Sequence, residues 1–212
     1  MSRNAALLAL MALIAGSATE LHAQGRDRGL VELSPRATRG GLYITGGLGN
    51  GLEQYQYSDD PLGYTTWLSS PAAVLRIGGT PNQSVRLGAE LFGWWNGIYD
   101  TALQQNATDN FSAFLIDAQF YPDRRAGFYV KGGLGIARSG ESFSYGYSSF
   151  SESGFGWSVG AGYDIRLSRN FAIAPTADFY QGTFAQRGQA TITEHVLNLG
   201  VSLTFQSGGR WR

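Results

Sequence analysis

Residues 194–205 read EHVLNLGVSLTF, and from Leu197 onward an apolar side chain falls on every second position: Leu197, Leu199, Val201, Leu203 and Phe205. Between them stand Asn198, Gly200, Ser202 and Thr204, all small and polar or bare. Side chains on a strand alternate between two faces, so this stretch is a β-strand with one oily face and one small, polar face. If the oily face meets lipid, the other strands must follow the same rule and the sheet must close on itself.

Seven earlier segments follow it. Residues 41–49 set Leu42, Ile44 and Leu48 against Tyr43, Thr45 and Gly47, and residues 72–79 set Ala73, Leu75 and Ile77 against Val74, Arg76 and Gly78. Residues 84–95 oppose Val85, Leu87, Ala89 and Leu91 to Arg86, Gly88 and Glu90. In residues 110–121, Phe114, Ile116, Ala118 and Phe120 alternate with Leu115, Asp117 and Gln119. Residues 127–138 oppose Phe128, Val130, Leu134 and Ile136 to Lys131, Gly133 and Gly135. Residues 154–167 oppose Phe155, Trp157, Val159, Ala161, Tyr163 and Ile165 to a face that carries Ser158, Asp164 and Arg166. Residues 170–181 oppose Phe171, Ile173, Ala177 and Phe179 to Thr176 and Asp178, with Pro175 withdrawing one ladder donor. Each is near the ~9–11 residues that a tilted membrane-spanning strand needs.

The connections alternate in length. Residues 80–83, 122–126 and 168–169 make short turns, whereas 50–71, 96–109, 139–153 and 182–193 are long. Outer-membrane barrels have short periplasmic turns and longer external loops, so both termini are expected in the periplasm. Aromatics gather at strand ends, as interfacial girdles require. Tyr43, Phe120, Tyr121, Phe128, Tyr129, Phe171 and Phe205 are expected around the periplasmic rim, and Trp94, Trp95, Phe111, Phe155, Trp157, Phe179 and Tyr180 around the outer one. An internal echo links GLYITGGLG at 41–49 with GFYVKGGLG at 127–135, the first and fifth strands. Duplication of a four-stranded half and shared wall geometry both account for it.

A soluble barrel also alternates, with its oily face inward. The other face discriminates: on a soluble barrel it meets water and carries many long polar side chains. Here Gly, Ser, Ala and Thr dominate it, and a lumen inside about eight strands has room for little more. Eight ions share that face: Arg76, Arg86, Glu90, Asp117, Lys131, Asp164, Arg166 and Asp178. Both signs are present, as a paired internal network requires, since an unpaired buried ion is costly.

Composition agrees. Charged residues make up 15% of the 212, below the roughly one quarter usual in soluble domains. Lys+Arg and Asp+Glu each number 16, so there is no basic footprint for nucleic acid. With no cysteine, disulfide frameworks and Cys-based zinc sites are excluded. At the N-terminus, Arg3, the apolar run 5–15 and a polar exit ending at Ala23 read as an export signal. That run is too short to span a bilayer, which takes roughly 17–25 residues as a helix. The expected organisation is a signal peptide over 1–23, a periplasmic lead-in over 24–40, a barrel over 41–205 and a short periplasmic tail over 206–212.

With these features in hand, the chain resembles the OmpA/OmpX-type small outer-membrane β-barrels, and YPDRRAGFYVKGGLGIAR at 121–138 resembles the turn and rising strand common in the broad outer-membrane β-barrel domain family. The resemblance implies an all-β fold, an eight-stranded antiparallel up-and-down transmembrane β-barrel in a Gram-negative outer membrane. It also implies outer-membrane lipid and lipopolysaccharide around the wall, and an assembly signal for the barrel-assembly machinery. That signal is an aromatic at the chain's end. Here Phe205 is followed by QSGGRWR, so either Phe205 serves despite the tail or Trp211 takes part. The tail is too short for the peptidoglycan-binding domain of full-length OmpA-like proteins.

Candidate chemistry is sparse. The glycines of 47–51 and 133–135 lack the helix and βαβ unit of a dinucleotide site and read as wall glycines. Some small barrels are lipid-modifying enzymes, and one deacylase family uses His with a Ser two residues on. Here His195 is followed by Leu197 at that position, although Glu194 beside it could orient an attacking group. Asp59, Asp60, Asp100 and Asp109 are too scattered for a metal site, so no metal or cofactor is expected. The external loops are rich in Tyr, Phe, Ser and Gly, a mixture that offers rigid contact area with adaptable hydrogen bonding. Tyr55, Tyr57, Tyr64, Trp67, Tyr145, Tyr147 and Phe150 are the contact candidates. The reading is a monomeric barrel with a packed polar lumen and a structural or surface-interaction role for an unknown surface ligand. A narrow pore is the alternative and a lipid-modifying enzyme the third.

Overall fold

The computed structural model describes residues 39–59, 63–100, 105–143, 150–185 and 191–208. The expected signal peptide, most of the lead-in, Asp60, Tyr145, Tyr147 and Trp211 lie outside them. Nine strands follow one another: β1 Gly41–Tyr57, β2 Leu68–Asn82, β3 Val85–Asp100, β4 Gln105–Phe120, β5 Phe128–Phe143, β6 Phe150–Tyr163, β7 Ile165–Arg166, β8 Phe171–Phe184 and β9 Ile192–Gln206. All pairings are antiparallel between chain neighbours, β9 pairs β1, and β6 pairs β8, so the sheet is a closed ring. The two residues of β7 continue the line of β6 and pair the same neighbour, which gives eight staves.

The interruption between β6 and β7 has a local cause. The β6–β8 ladder ends at Gly162↔Thr176 and resumes at Ile165↔Ile173 in the same register. Pro175, with no N–H to donate, stands in the gap opposite Tyr163, and Asp164 beside it gives its backbone N–H to the Gly127 carbonyl.

Period-two patterning fixes which face is which. Leu48 is 75% exposed, Leu42 70% and Ile116 65%, and with Ile77, Leu91, Leu134, Ile136 and Leu203 they form a continuous apolar belt around the outside. In water that belt would far exceed the few hundred Å² of apolar patch that a soluble monomer tolerates, so hydrocarbon is its solvent. At the end away from the described terminal residues, outward-facing Asn50, Ser112 and Arg138 mark where the belt stops.

Three expectations need correction. The long connections are largely not loops: β1 pairs β2 as far as Glu53↔Leu68, β3 pairs β4 to Asp100↔Gln105, and β5 pairs β6 to Glu141↔Phe150. Backbone pairing continues past the membrane because a hairpin ladder satisfies its groups equally well in water. Six of the fourteen aromatics assigned to the girdles point inward. Tyr43, Tyr121, Tyr129, Trp94, Phe111 and Tyr180 are almost wholly buried, since each shares the parity of the lumen ions, while Trp95, Phe155, Phe120, Phe128, Phe171 and Phe205 face out. Nor is the lumen polar throughout, because part of it is a packed apolar cluster.

Candidate functional site

The inward parity stacks four layers along the lumen. Nearest the termini, Arg86 donates to Gln206 at 3.0 Å and to the Tyr121 hydroxyl, and pairs with Asp164 at 3.2 Å. Arg39, assigned from sequence to a loose lead-in, instead lies 3.6 Å over the Tyr121 ring and donates to the carbonyls of Gln83, Arg124 and Ala126. It closes the barrel floor by tying two neighbouring turns together.

The second layer is a four-ion cluster. Register places Arg76 directly opposite Glu90 on the next stave, and the two are ion-paired. Arg76 also reaches Asp178 at 2.9 Å, and Lys131 completes the ring with Glu90 at 2.5 Å and Asp178 at 3.5 Å. Two cations against two anions, contributed by β2, β3, β5 and β8, tie the barrel across its bore. Gly160 makes room for this, since a Cβ there would collide with the Asp178 carboxylate. Asp117 shares the layer, yet neither of its oxygens has a hydrogen-bond partner. Arg166 is only half-buried, at the floor.

Above the ions sits an apolar plug. Phe92 stacks on Tyr180 at 3.7 Å between ring centres, Phe111 abuts Phe92 and Phe184, and Trp94 donates its indole N–H to the Gly51 carbonyl at 3.1 Å. Gly51 is required there, because a Cβ would strike the indole. Tyr180 joins the two layers: its ring is in the plug and its hydroxyl oxygen accepts a hydrogen bond from Lys131 at 3.1 Å.

The fourth layer, beyond the belt, is acidic. Glu53, Asp109, Glu141 and Glu194 all take the inward parity and lie within electrostatic reach of one another. Glu53 is 1% exposed and neither carboxylate oxygen has a partner. Burial, reinforced by Asp109, pushes it up to about 8. Burial and Glu141 raise Asp109 to about 6, although the Asn110 N–H favours its charged form. Glu194 is raised well above the usual carboxylate range, by burial first and then by Glu53 and Asp109, against the opposing Ser139 hydroxyl. Sequence reading named Glu194 only beside His195 and Asp109 only as a scattered acid, and missed the grouping because it treated residues 50–71, 96–109 and 139–153 as loops; continuing the parity of Gly51 by two positions reaches Glu53.

His195 and Glu194 cannot act as a pair, since consecutive strand residues point to opposite faces. Glu194 faces the lumen. His195 faces outward, stacked on Tyr64 at 4.8 Å and 2.9 Å from Gln181, and its burial lowers its pKa. Among the contact candidates, Tyr57, Tyr64 and Trp67 are exposed, Tyr55 is partly covered and rests edge-on against Tyr57, and Phe150 begins β6. Phe205 faces out against Phe171, with ring centres 5.2 Å apart. Among the described residues no His, Asp and Glu group has the arrangement of a metal site.

The family model described as outer membrane protein beta-barrel domain matches residues 5–205, and the chain belongs to that family. Among solved structures, Ail, the attachment invasion locus protein of Yersinia pestis, in complex with the heparin analogue sucrose octasulfate, is similar with a TM-score of 0.57. At 13% identity the match covers 78% of this chain and 99% of Ail. Neisserial surface protein A matches with a TM-score of 0.52 at 12% identity, covering 78% and 97% respectively. At these identities the likeness is one of fold. No curated protein matches by sequence.

Proposed function

We propose that this member of the outer-membrane barrel family is a non-catalytic surface-interaction protein, anchored by its wall and acting through the hairpins that rise from it. The supporting observation is the continuation of paired strands beyond the apolar belt, where they carry Tyr57 and Tyr99 exposed to solvent, with exposed Trp67 directly before β2. Rigid aromatic area held on a ladder loses little entropy on binding. With the long-hairpin end outside, as in other outer-membrane barrels, those side chains meet the cell's surroundings.

Charge selects the partner class. Ail is bound to a polyanion, but the described mouth of this barrel carries Asp59 exposed and Asp109 and Glu141 half-buried. A basic protein surface suits it better than a heparin-like chain. The test is binding of cells displaying the chain to immobilised polylysine and to immobilised heparin. Preference for polylysine, reduced in a Tyr57→Ser/Trp67→Ser variant that still reaches the surface, supports the reading. Preference for heparin removes it.

The pore reading is disfavoured by the plug, because the rings of Phe92, Tyr180, Phe111 and Phe184 fill the bore and the one hydroxyl among them is taken by Lys131. Planar-bilayer recordings should find no conducting level in the native chain. A lipid-modifying activity would need His195, so an unchanged lipid A mass on expression, with and without His195→Ala, fits the non-catalytic reading.

A further inference from the structure

His195 has no acid beside it to work with, yet it is the foot on which a surface segment stands. The connection between β1 and β2 turns at Gly63, whose φ of 79° glycine adopts freely, and comes back along β1. There the Thr65 N–H donates to the Tyr55 carbonyl at 2.9 Å, and the Thr65 hydroxyl accepts the Tyr55 N–H at 3.1 Å. Tyr64, next in the chain, reaches across the outer face of β1 to β9 and lays its ring on His195, with centres 4.8 Å apart and planes 29° apart. Its hydroxyl is 3.5 Å from His195 Nε2. From β8, Phe179 packs against the imidazole at 5.2 Å between ring centres, and Gln181 Oε1 lies 2.9 Å from Nε2.

These surroundings suit a neutral ring. With its proton on Nε2, imidazole donates to Gln181 and leaves its faces to Tyr64 and Phe179. The side chains that face it are Gln54 from β1, Phe179 and Gln181 from β8, Thr193 and Leu197 from its own strand, and Tyr64 from the connection. None of them is an ion at neutral pH. Glu53 and Glu194, one residue along on β1 and β9, turn into the lumen, and Asp59 lies past the end of β1. Burial is what moves the imidazole, and it lowers the pKa from 6.5. A lowered histidine value means that the packed form is the uncharged one. Its contribution is complete above 6.5 and is lost as pH falls through the lower value set by burial.

We propose that His195 is the seat of a proton-released clasp, which holds the β1–β2 connection against the outer wall while neutral and frees it when charged. The Tyr55–Thr65 bonds tie the base of the connection in either state, so the part set free is the Tyr64 ring and the residues around it. The connection starts from Tyr57 and carries Tyr64 and Trp67, all three exposed. His195 is thus a positioning residue for the aromatic face of the surface-interaction reading. That consequence rests on the reading, whereas the clasp itself does not.

The chain has no cysteine, so Thr66→Cys, at an exposed position next but one to Tyr64, gives a single site for a nitroxide spin label. The test uses residues 24–212 refolded in neutral detergent, with gel mobility before and after boiling to show that each variant is a folded barrel. The label should be mostly immobile at about pH 7.5 and should lose most of its immobile component at about pH 5. His195→Gln, which keeps a donor for Gln181 and cannot charge, should abolish that response. Tyr64→Leu should leave the label mobile at both values. His195 is the one histidine of residues 24–212, so its ring signal in proton NMR is unambiguous; it should titrate below 6.5 and move up toward it in Tyr64→Leu. A label blind to pH in the native sequence, an equal response in His195→Gln, or tightening in acid would each overturn the clasp. Binding to immobilised polylysine at about pH 7.5 keeps the two readings apart. A responsive label without polylysine binding removes the surface-contact reading and leaves the clasp, and binding with a label blind to pH removes the clasp alone.

Discussion

Two depths of one lumen hold buried carboxylates and treat them differently. At mid-barrel, Glu90 and Asp178 are balanced by Arg76 and Lys131 within ion-pairing distance. At the mouth, Glu53, Asp109, Glu141 and Glu194 have no described cation among them, and Glu53 has no partner of any kind. The plug of Phe92, Trp94, Phe111 and Tyr180 separates the two. Taking an ion out of water costs several kcal/mol, so the mid-barrel ions persist as charges only as a neutral set. The two most deeply buried mouth groups, Glu53 and Glu194, meet the same demand by holding protons. The first cluster is therefore a cross-brace that external conditions barely reach, and the second is where pH acts.

The largest expected effect comes from unbalancing the brace. Arg76→Leu leaves Glu90 and Asp178 sharing Lys131, and should cost about 3–5 kcal/mol, the usual penalty for stranding a buried charge. Unfolding in urea from lipid vesicles measures it. Adding Asp178→Leu restores a one-to-one pair, Glu90 with Lys131, and should recover much of the loss. If the double variant is as unstable as the single one, charge balance is not what holds this layer.

Next comes the wall that keeps both layers apart from lipid. Leu199 and Asn198 are neighbours on β9, one facing out and the other buried in the lumen. Leu199→Arg should cost about 2–4 kcal/mol if it meets the bilayer midplane, and less toward an interface. Ser202, whose hydroxyl is buried without a partner, should tolerate alanine with little change. Equal small effects in the same urea titration would contradict the assignment of faces.

Changing pH addresses the mouth. The pKa of Glu53 rises from 4.5 to about 8 and that of Asp109 from 3.8 to about 6 on folding. A raised carboxyl pKa means that the folded chain binds more protons than the unfolded one, so stability is full below the unfolded value and is lost as pH climbs through the folded one. The expected window is about pH 4 to 8, falling by at most about 1.4 kcal/mol per pH unit for each group. Glu53→Gln should flatten the upper part of that slope, and a slope unchanged in the variant would assign it elsewhere.

How much of this was legible follows from what parity can and cannot say. Alternation alone placed Leu42, Leu48, Leu134 and Leu203 outward and Arg76, Glu90 and Lys131 inward, because face is a property of position along one strand. Partnership is a property of register between strands, so Arg76 facing Glu90 directly and Asp178 across the bore could not be read from one strand at a time. Tyr43, Trp94 and Tyr180 were misplaced by weighing residue type over parity: an aromatic at a strand end suits a girdle, yet the same ring fills a lumen when its position is even with the ions. Glu53 went unseen, and Glu194 was read only beside His195, because the hydrophobic signal that marks a strand stops at the membrane, whereas the ladder does not.

The smallest expected effect is the one that most directly tests the contrast. Asp117 sits at mid-barrel depth, 2% exposed, with neither oxygen hydrogen-bonded, and so resembles the mouth carboxylates in pairing while sharing the depth of the brace. If partnership governs, Asp117→Asn removes a carboxylate that makes no ion pair among the described residues and should shift stability by less than about 1 kcal/mol, in either direction. If depth governs, the substitution should cost as much as losing Glu90, because the field of Arg76 and Lys131 would then depend on every anion at that level. The titration that reads Arg76→Leu reads this variant too, so the two alternatives are separated on a single scale.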